Sequence, residues 1–310
     1  MWLLVITTLL WAASFSLIGE YLAGQVDSWL SVLIRVSLAA LVFLPFLRWR
    51  NFSAKVILLY MLVGACQLGI MYFFVFQAYK YLSVAEFLLF TVLTPLYVTL
   101  IYDLLERQRL RKGYLFSSLL AVIGAAIIRY DHLSESFWLG LLFVQLANIF
   151  FAIGQVGYKR LMEIHPIPQH QAFSWFYIGA TLIALIGWLL FGNKALVPTS
   201  NSQWIVLLWL GIAASGIGYF MWNYGATKVD AGTLAIMNNM MVPAGLLVNF
   251  ALWQQHPDWL SFTIGSSLII ASLWVHKRWI LAPTSRKTID LAQPCVFVKQ
   301  LPGPILCALP

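Results

Sequence analysis

Apolar runs of about 18 to 24 residues recur along most of this chain, separated by short connections. A helix rising 1.5 Å per residue needs about 20 such residues to cross a hydrocarbon core roughly 30 Å thick. Composition points the same way: of 310 residues, 61% are hydrophobic and 10% charged, against about 25% charged in a soluble domain. The chain reads as an all-α polytopic membrane protein.

The runs predict ten spans, at about 2–19, 29–47, 56–79, 84–103, 113–129, 137–157, 171–191, 203–225, 231–252 and 259–279. Cap and turn signals sit between them, such as Asp27-Ser28 before the second and His256-Pro257-Asp258 before the tenth. The net charge of +8 does not imply nucleic acid, because the basic residues lie between spans and mark topology. Fifteen of the nineteen Lys and Arg residues fall on the side of the amino terminus, including Arg48, Lys55, Lys159, Lys228 and Lys277. Lys80, Arg129 and Lys194 fall on the other side, and Arg35 lies within a span. The expectation is a multi-pass inner or plasma membrane protein with both termini cytoplasmic. No signal-peptide pattern marks the first run, and Cys66, Cys295 and Cys307 make neither a metal spacing nor a disulfide framework.

One phrase is written twice. Ala78, Lys80 and Pro95 return as Ala226, Lys228 and Pro243, each 148 residues on. Ten spans then divide into two five-helix repeats, 1–132 and 133–280, and an odd number of spans inverts the second relative to the first. Residues 281–310, broken by prolines, read as a poorly ordered cytoplasmic tail. Inverted repeats are a plan of secondary transporters, whose substrate site lies around a central cavity near the midplane.

The doubled phrase, the LLW-A-x-S-F opening at Leu9–Phe15 and the early Arg35 of the second span resemble the EamA-like permeases of the drug/metabolite transporter superfamily. The resemblance covers about 1–280. It implies an exporter or facilitator of small amphipathic metabolites such as amino acids, working by alternating access, with protons a candidate coupling ion. It also implies that spans one to four and six to nine surround the cavity while five and ten brace it. The family often carries a glutamate after the fourth and ninth spans; Glu106 fits the first place, whereas the second reads Gln254-Gln255.

A charge inside a span costs at least a few kcal/mol, so Arg35 is the leading candidate for function. Its planar fork suits a substrate carboxylate, though snorkelling or pairing with Glu20 or Glu86 would also account for it. Glu20, Glu86, Lys80 and Lys228, near span ends, read as gating or helix-end residues. Trp11, Ser14, Gln67, Tyr72, Thr91, Tyr97, Asn148, Gln155, Trp175, Asn223, Asn238 and Asn239 are polar or amphipathic residues at depth. Singly each suits an interhelical bond; together they suit a polar, mostly uncharged substrate pocket. No hydrolase, nucleotide-binding or metal motif lies in the spans, so no cofactor, metal site or catalytic residue is expected. An intramembrane enzyme acting on lipid-linked substrates and a non-transporting scaffold remain the alternatives. The partners are a small-molecule substrate and the bilayer, with the chain a monomer or homodimer.

Pro95 and Pro243 each remove the N–H that would bond the carbonyl four residues back, at Thr91 and Asn239. They are expected to kink spans four and nine, turn those carbonyls and side chains toward the substrate, and act as hinges. Reporter fusions check the topology: those after Arg50, Lys112 and Lys277 should report cytoplasm and one within 192–202 the outside. Two opposite signals would overturn the arrangement.

Overall fold

The computed structural model describes residues 1–49, 52–105, 112–128, 137–253 and 258–281. These residues contain helices and no strand. In chain order the helices are α1 (Trp2–Tyr21), α2 (Ser28–Phe43), α3 (Ala54–Gly64, Ala65–Ile70 and Met71–Ala78) and α4 (Val84–Phe90, Thr91–Leu93 and Thr94–Leu105). Then come α5 (Lys112–Ile128), α6 (Phe137–Ile164), α7 (Gln169–Phe191) and α8 (Asn201–Trp209, Leu210–Gly218 and Tyr219–Ala226). The last are α9 (Ala231–Asn239 and Met241–Trp253) and α10 (Trp259–Val275). Nine of the helices formed by the described residues are long and apolar enough to cross a membrane. At the place of the expected fifth span, α5 has 17 residues. Arg50, Glu106, Arg107, Arg109, Arg111, Arg129, Gln254, Gln255 and the tail beyond 281 lie outside the described residues.

Helix starts follow local chemistry. Asp27 accepts from the Leu30 N–H at 2.8 Å, and Asp258 from the N–H groups of Leu260 and Ser261. Ser200 and Gln203 close a reciprocal capping box on α8. Each pairs backbone donors that the first turn leaves without helical partners.

Packing repeats with two-fold logic. α2 packs on α7 and α5 on α10, pairing equivalent helices of the two halves. Further contacts come as matched sets: α1 with α9 as α6 with α4, α3 with α7 as α8 with α2, and α3 with α6 as α8 with α1. Helices α3 and α7 touch backbone to backbone. A Cβ at Gly64 would lie 1.9 Å from the Phe176 carbonyl oxygen, and one at Gly179 would lie 1.9 Å from that of Met61. Only glycine fits at this crossing.

Gly64→Ala and Gly179→Ala should therefore each destabilise the purified protein by about 1–3 kcal/mol, the usual range for overpacking. The double variant should cost less than the sum, because one separation of the helices relieves both clashes. Unchanged melting temperatures would contradict the close crossing.

Candidate functional site

Two helices leave α-geometry at equivalent places. Ala65–Ile70 of α3 and Leu210–Gly218 of α8 are π-helical, and shifting the first by 148 residues places it inside the second. A π-bulge widens the turn and frees carbonyls, which hydrocarbon leaves unpaired unless other groups reach them. In α8 they are reached from two helices, α1 and α7. The Trp11 indole donates to Ala214 O at 3.0 Å, and the Tyr177 hydroxyl donates to Ser215 O and Gly216 O.

Arg35 is anchored on the same bulge. It is fully buried, with Nε and Nη2 donating to Ser215 Oγ at 3.3 and 3.0 Å and Nη2 also to Tyr72 Oη at 2.8 Å. Its Cζ lies 3.9 Å from the Tyr72 ring centre. Arg35 neither snorkels nor pairs with Glu20 or Glu86: a π-face and two hydroxyls take the place of a carboxylate. Nη1 is buried without a partner.

Beside this layer lies a cavity holding about 550 Å³ of empty space, its open mouth included. Its walls come from α1, α3, α4, α6, α8 and α9. Trp11, Phe15, Phe87, Phe151, Tyr219 and Trp222 make them largely aromatic. Trp11 sets the corner, its ring 4.4 Å from Tyr219 and 4.9 Å from Trp222, centre to centre. Trp222 donates its indole N–H to Gln155 Oε1 at 2.8 Å. Both indoles thus spend their polar edge on other helices. Polar atoms reach the wall at Thr91, Thr94, Asn148 and Asn238. Among the described residues, no Asp, Glu, Lys or Arg lines it.

Of the residues expected at the pocket, the structure places Trp11, Thr91, Asn148 and Asn238 on this wall. Tyr72 stands behind Tyr219, the rings 6.1 Å apart, with Arg35 behind it. Gln155 backs Trp222, and Gln67 donates to Asn223 Oδ1 at 3.2 Å, joining the two bulged helices from inside. Others lie off the wall. Ser14 turns back to Leu10 O, Tyr97 bonds Gln145, and Trp175 packs edge-on against Trp49. Asn239 is buried, with neither amide atom hydrogen-bonded. Among the end residues, Glu86 caps α4 through Ser83. Glu20 and Lys80 are exposed, and so is Lys228, 5.3 Å from the Tyr224 ring centre.

The expected role of the Thr91 carbonyl is corrected. Thr91–Leu93 tightens into a 3-10 turn, so Thr91 O receives the Thr94 N–H and, at 2.6 Å, the Thr94 hydroxyl. The carbonyl this rearrangement releases is that of Phe90, and Gln145 and Asn148 of α6 each donate to it at 3.0 Å. The proline breaks the helix as expected, but neighbouring helices satisfy the break. In α9 the interruption falls at Met240, the counterpart of Val92.

Two groups were missed. Lys159, read as a topology marker, is buried and donates to Ala226 O and Val229 O at the end of α8. His276, not singled out in the sequence, is fully buried: Nε2 lies 2.6 Å from Asp230 Oδ1 and Nδ1 lies 3.0 Å from Ser117 Oγ. This is a serine–histidine–aspartate set, but Ser117 has no exposed surface. A Cβ at Gly232 would lie 2.0 Å from the His276 ring, so no substrate reaches it. The set ties α5 and the π-helical turn His276–Leu281 that follows α10 to the start of α9. No local pattern announces it, since its members are spread over 159 residues.

A sequence model of the EamA-like transporter family matches residues 1–130 and again 138–276. The chain belongs to this family and is a multi-pass membrane transporter, not an enzyme. It is 67% identical over 288 residues to the biotin transporter of Salmonella typhimurium strain LT2, covering 93% of this chain and 96% of that protein. The Escherichia coli K12 biotin transporter is 66% identical with the same coverage. A probable biotin transporter of Pseudomonas aeruginosa is 53% identical, covering 88% of this chain and 96% of its own length. One crystal structure shares the fold with a TM-score of 0.69 at 21% identity, over 91% of this chain and 97% of the other.

The Asp230 clamp makes a pH prediction. Burial acts to raise this carboxyl, but hydrogen bonds from His276 and Thr233 outweigh it and lower its pKa from 3.8 to about 2. A depressed carboxyl contributes stability above its unfolded pKa and loses it as pH falls through the folded one. The wild type should therefore lose about 2 kcal/mol relative to Asp230→Asn between about pH 4 and pH 2. A constant difference across that window in thermal melts would refute the assignment.

Proposed function

We propose that this transporter carries biotin across the inner membrane through the central cavity. The observation that carries the reading is the 67% and 66% identity, across nearly the full length, to two proteins named as biotin transporters. The expected preference for amino acids gives way to it. The wall chemistry supports the choice. Biotin joins a compact fused ring bearing a ureido group to a short alkyl carboxylate. An aromatic lining suits the ring, and the hydroxyls and amides of Thr91, Thr94, Asn148 and Asn238 suit the ureido group. The carboxylate turns toward Tyr219, behind which Tyr72 and the buried guanidinium of Arg35 supply the positive end.

With no acid among the described residues of the wall, the reading is of a facilitator, with both termini cytoplasmic, that flexes at the breaks of α4 and α9. Radiolabelled biotin should move in either direction down its gradient in proteoliposomes, while amino acids do not compete. Arg35→Lys should lower flux per folded molecule about ten-fold or more, since a hydrogen bond to a charged group is worth about 1.5–3 kcal/mol. Absence of saturable biotin flux would sink the substrate. Equal losses of flux and folded protein would make Arg35 purely structural.

A further inference from the structure

At the end of the bundle that carries Lys80, α2, α3 and α7 part around a second recess, with about 760 Å³ of empty space on the same measure. It is no extension of the central cavity. Met71 and Val75 of α3 face the centre, whereas Phe73 and Gln77 face the recess. Residues two apart on a helix lie on opposing sides, so α3 is the partition between the two spaces.

The recess has its own chemistry. Trp29 and Phe73 stack in its wall, centres 4.2 Å apart and planes 15° from parallel. The Trp29 indole N–H is buried without a partner. Gln77 donates to Ser28 Oγ at 3.4 Å. Lys80 stands exposed at the rim and forms no ion pair with a described residue. The acid in this recess, Asp27, is already engaged: Oδ1 accepts from Leu30 N at 2.8 Å and Oδ2 from Asn193 N at 3.0 Å. It also sits at the positive end of α2, which offsets its charge.

The duplication does not account for these features. Gly225, the counterpart of Gln77, packs closely on Leu4, and Lys228, the counterpart of Lys80, faces the Tyr224 ring. A stacked aromatic wall, an unused indole donor and an unpaired ammonium at the rim make a receptor for a molecule with one negative end and an apolar body. We propose that this recess is a second binding site, for an amphipathic anion whose charge meets Lys80 and whose body lies on Trp29 and Phe73. Two sources carry that chemistry: a carboxylate substrate arriving at this face, which rests on the biotin reading, and an anionic phospholipid of the adjoining leaflet, which does not.

The test uses wild type, Lys80→Arg, Lys80→Glu and Trp29→Leu in nanodiscs, with melting temperatures as the folding check. One arm measures the stoichiometry and affinity of radiolabelled biotin in neutral phosphatidylcholine discs. The other adds phosphatidylglycerol and counts phospholipids retained in native mass spectrometry. In at least one arm, Lys80→Glu should weaken a bound ligand about ten-fold and Trp29→Leu should weaken it too. Lys80→Arg should keep it, and a single biotin per chain should bind in every variant. Equal occupancy across all four proteins in both arms would overturn the site. Lipid dependent on Lys80 without any biotin binding would uphold the recess and refute biotin as substrate. One biotin in every variant with no Lys80-dependent ligand would do the reverse.

Discussion

Arg35 is a full positive charge with no exposed surface, held among membrane-spanning helices. Taking a guanidinium out of water costs several kcal/mol unless its donors and charge are met. Here Nε and Nη2 are met by Ser215 and Tyr72 and the charge by the Tyr72 ring, and Ser215 lies within the π-helical stretch of α8. That stretch in turn leaves carbonyls that Trp11 and Tyr177 must reach from α1 and α7. Each partner satisfies one group and exposes the need for the next. The consequence is a layer in which α1, α2, α3, α7 and α8 are mutually specified.

The cavity beside this layer inherits its shape. Trp11 is held by Ala214 and Trp222 by Gln155, so two large rings stand fixed at the wall with their polar edges turned away. On the opposite side, the proline break in α4 hands the Phe90 carbonyl to α6, which fixes Asn148 at the rim. The site is apolar over most of its area and polar at a few fixed points. Such a surface distinguishes a ligand by where its polar groups fall, since a group misplaced there meets no partner.

The two halves share a scaffold and diverge in chemistry. Equivalent bulges in α3 and α8, and equivalent breaks in α4 and α9, show the common plan. Divergence lies in side chains: Gln67 where the second half has Ser215, and Lys80 free where Lys228 lies on an aromatic ring. Beyond the cavity, α9 is held at its start by the Asp230–His276–Ser117 set, for which the first half substitutes a simple Ser83–Glu86 cap.

Most span positions, the duplicated plan and a helix break before Pro95 were legible in the sequence, because length, hydropathy and helix-breaking chemistry act locally. Trp11, Thr91, Asn148 and Asn238, expected at a pocket, line the cavity. Depth alone does not say which way a side chain turns: Trp175 and Tyr97 have the same credentials and lie elsewhere. The partners of the Phe90 carbonyl, the partners of Arg35 and the meeting of Ser117, Asp230 and His276 were decided by tertiary structure. Each depends on helices far apart in sequence reaching hydrogen-bond distance, and in a water-free interior the group that arrives there settles the role.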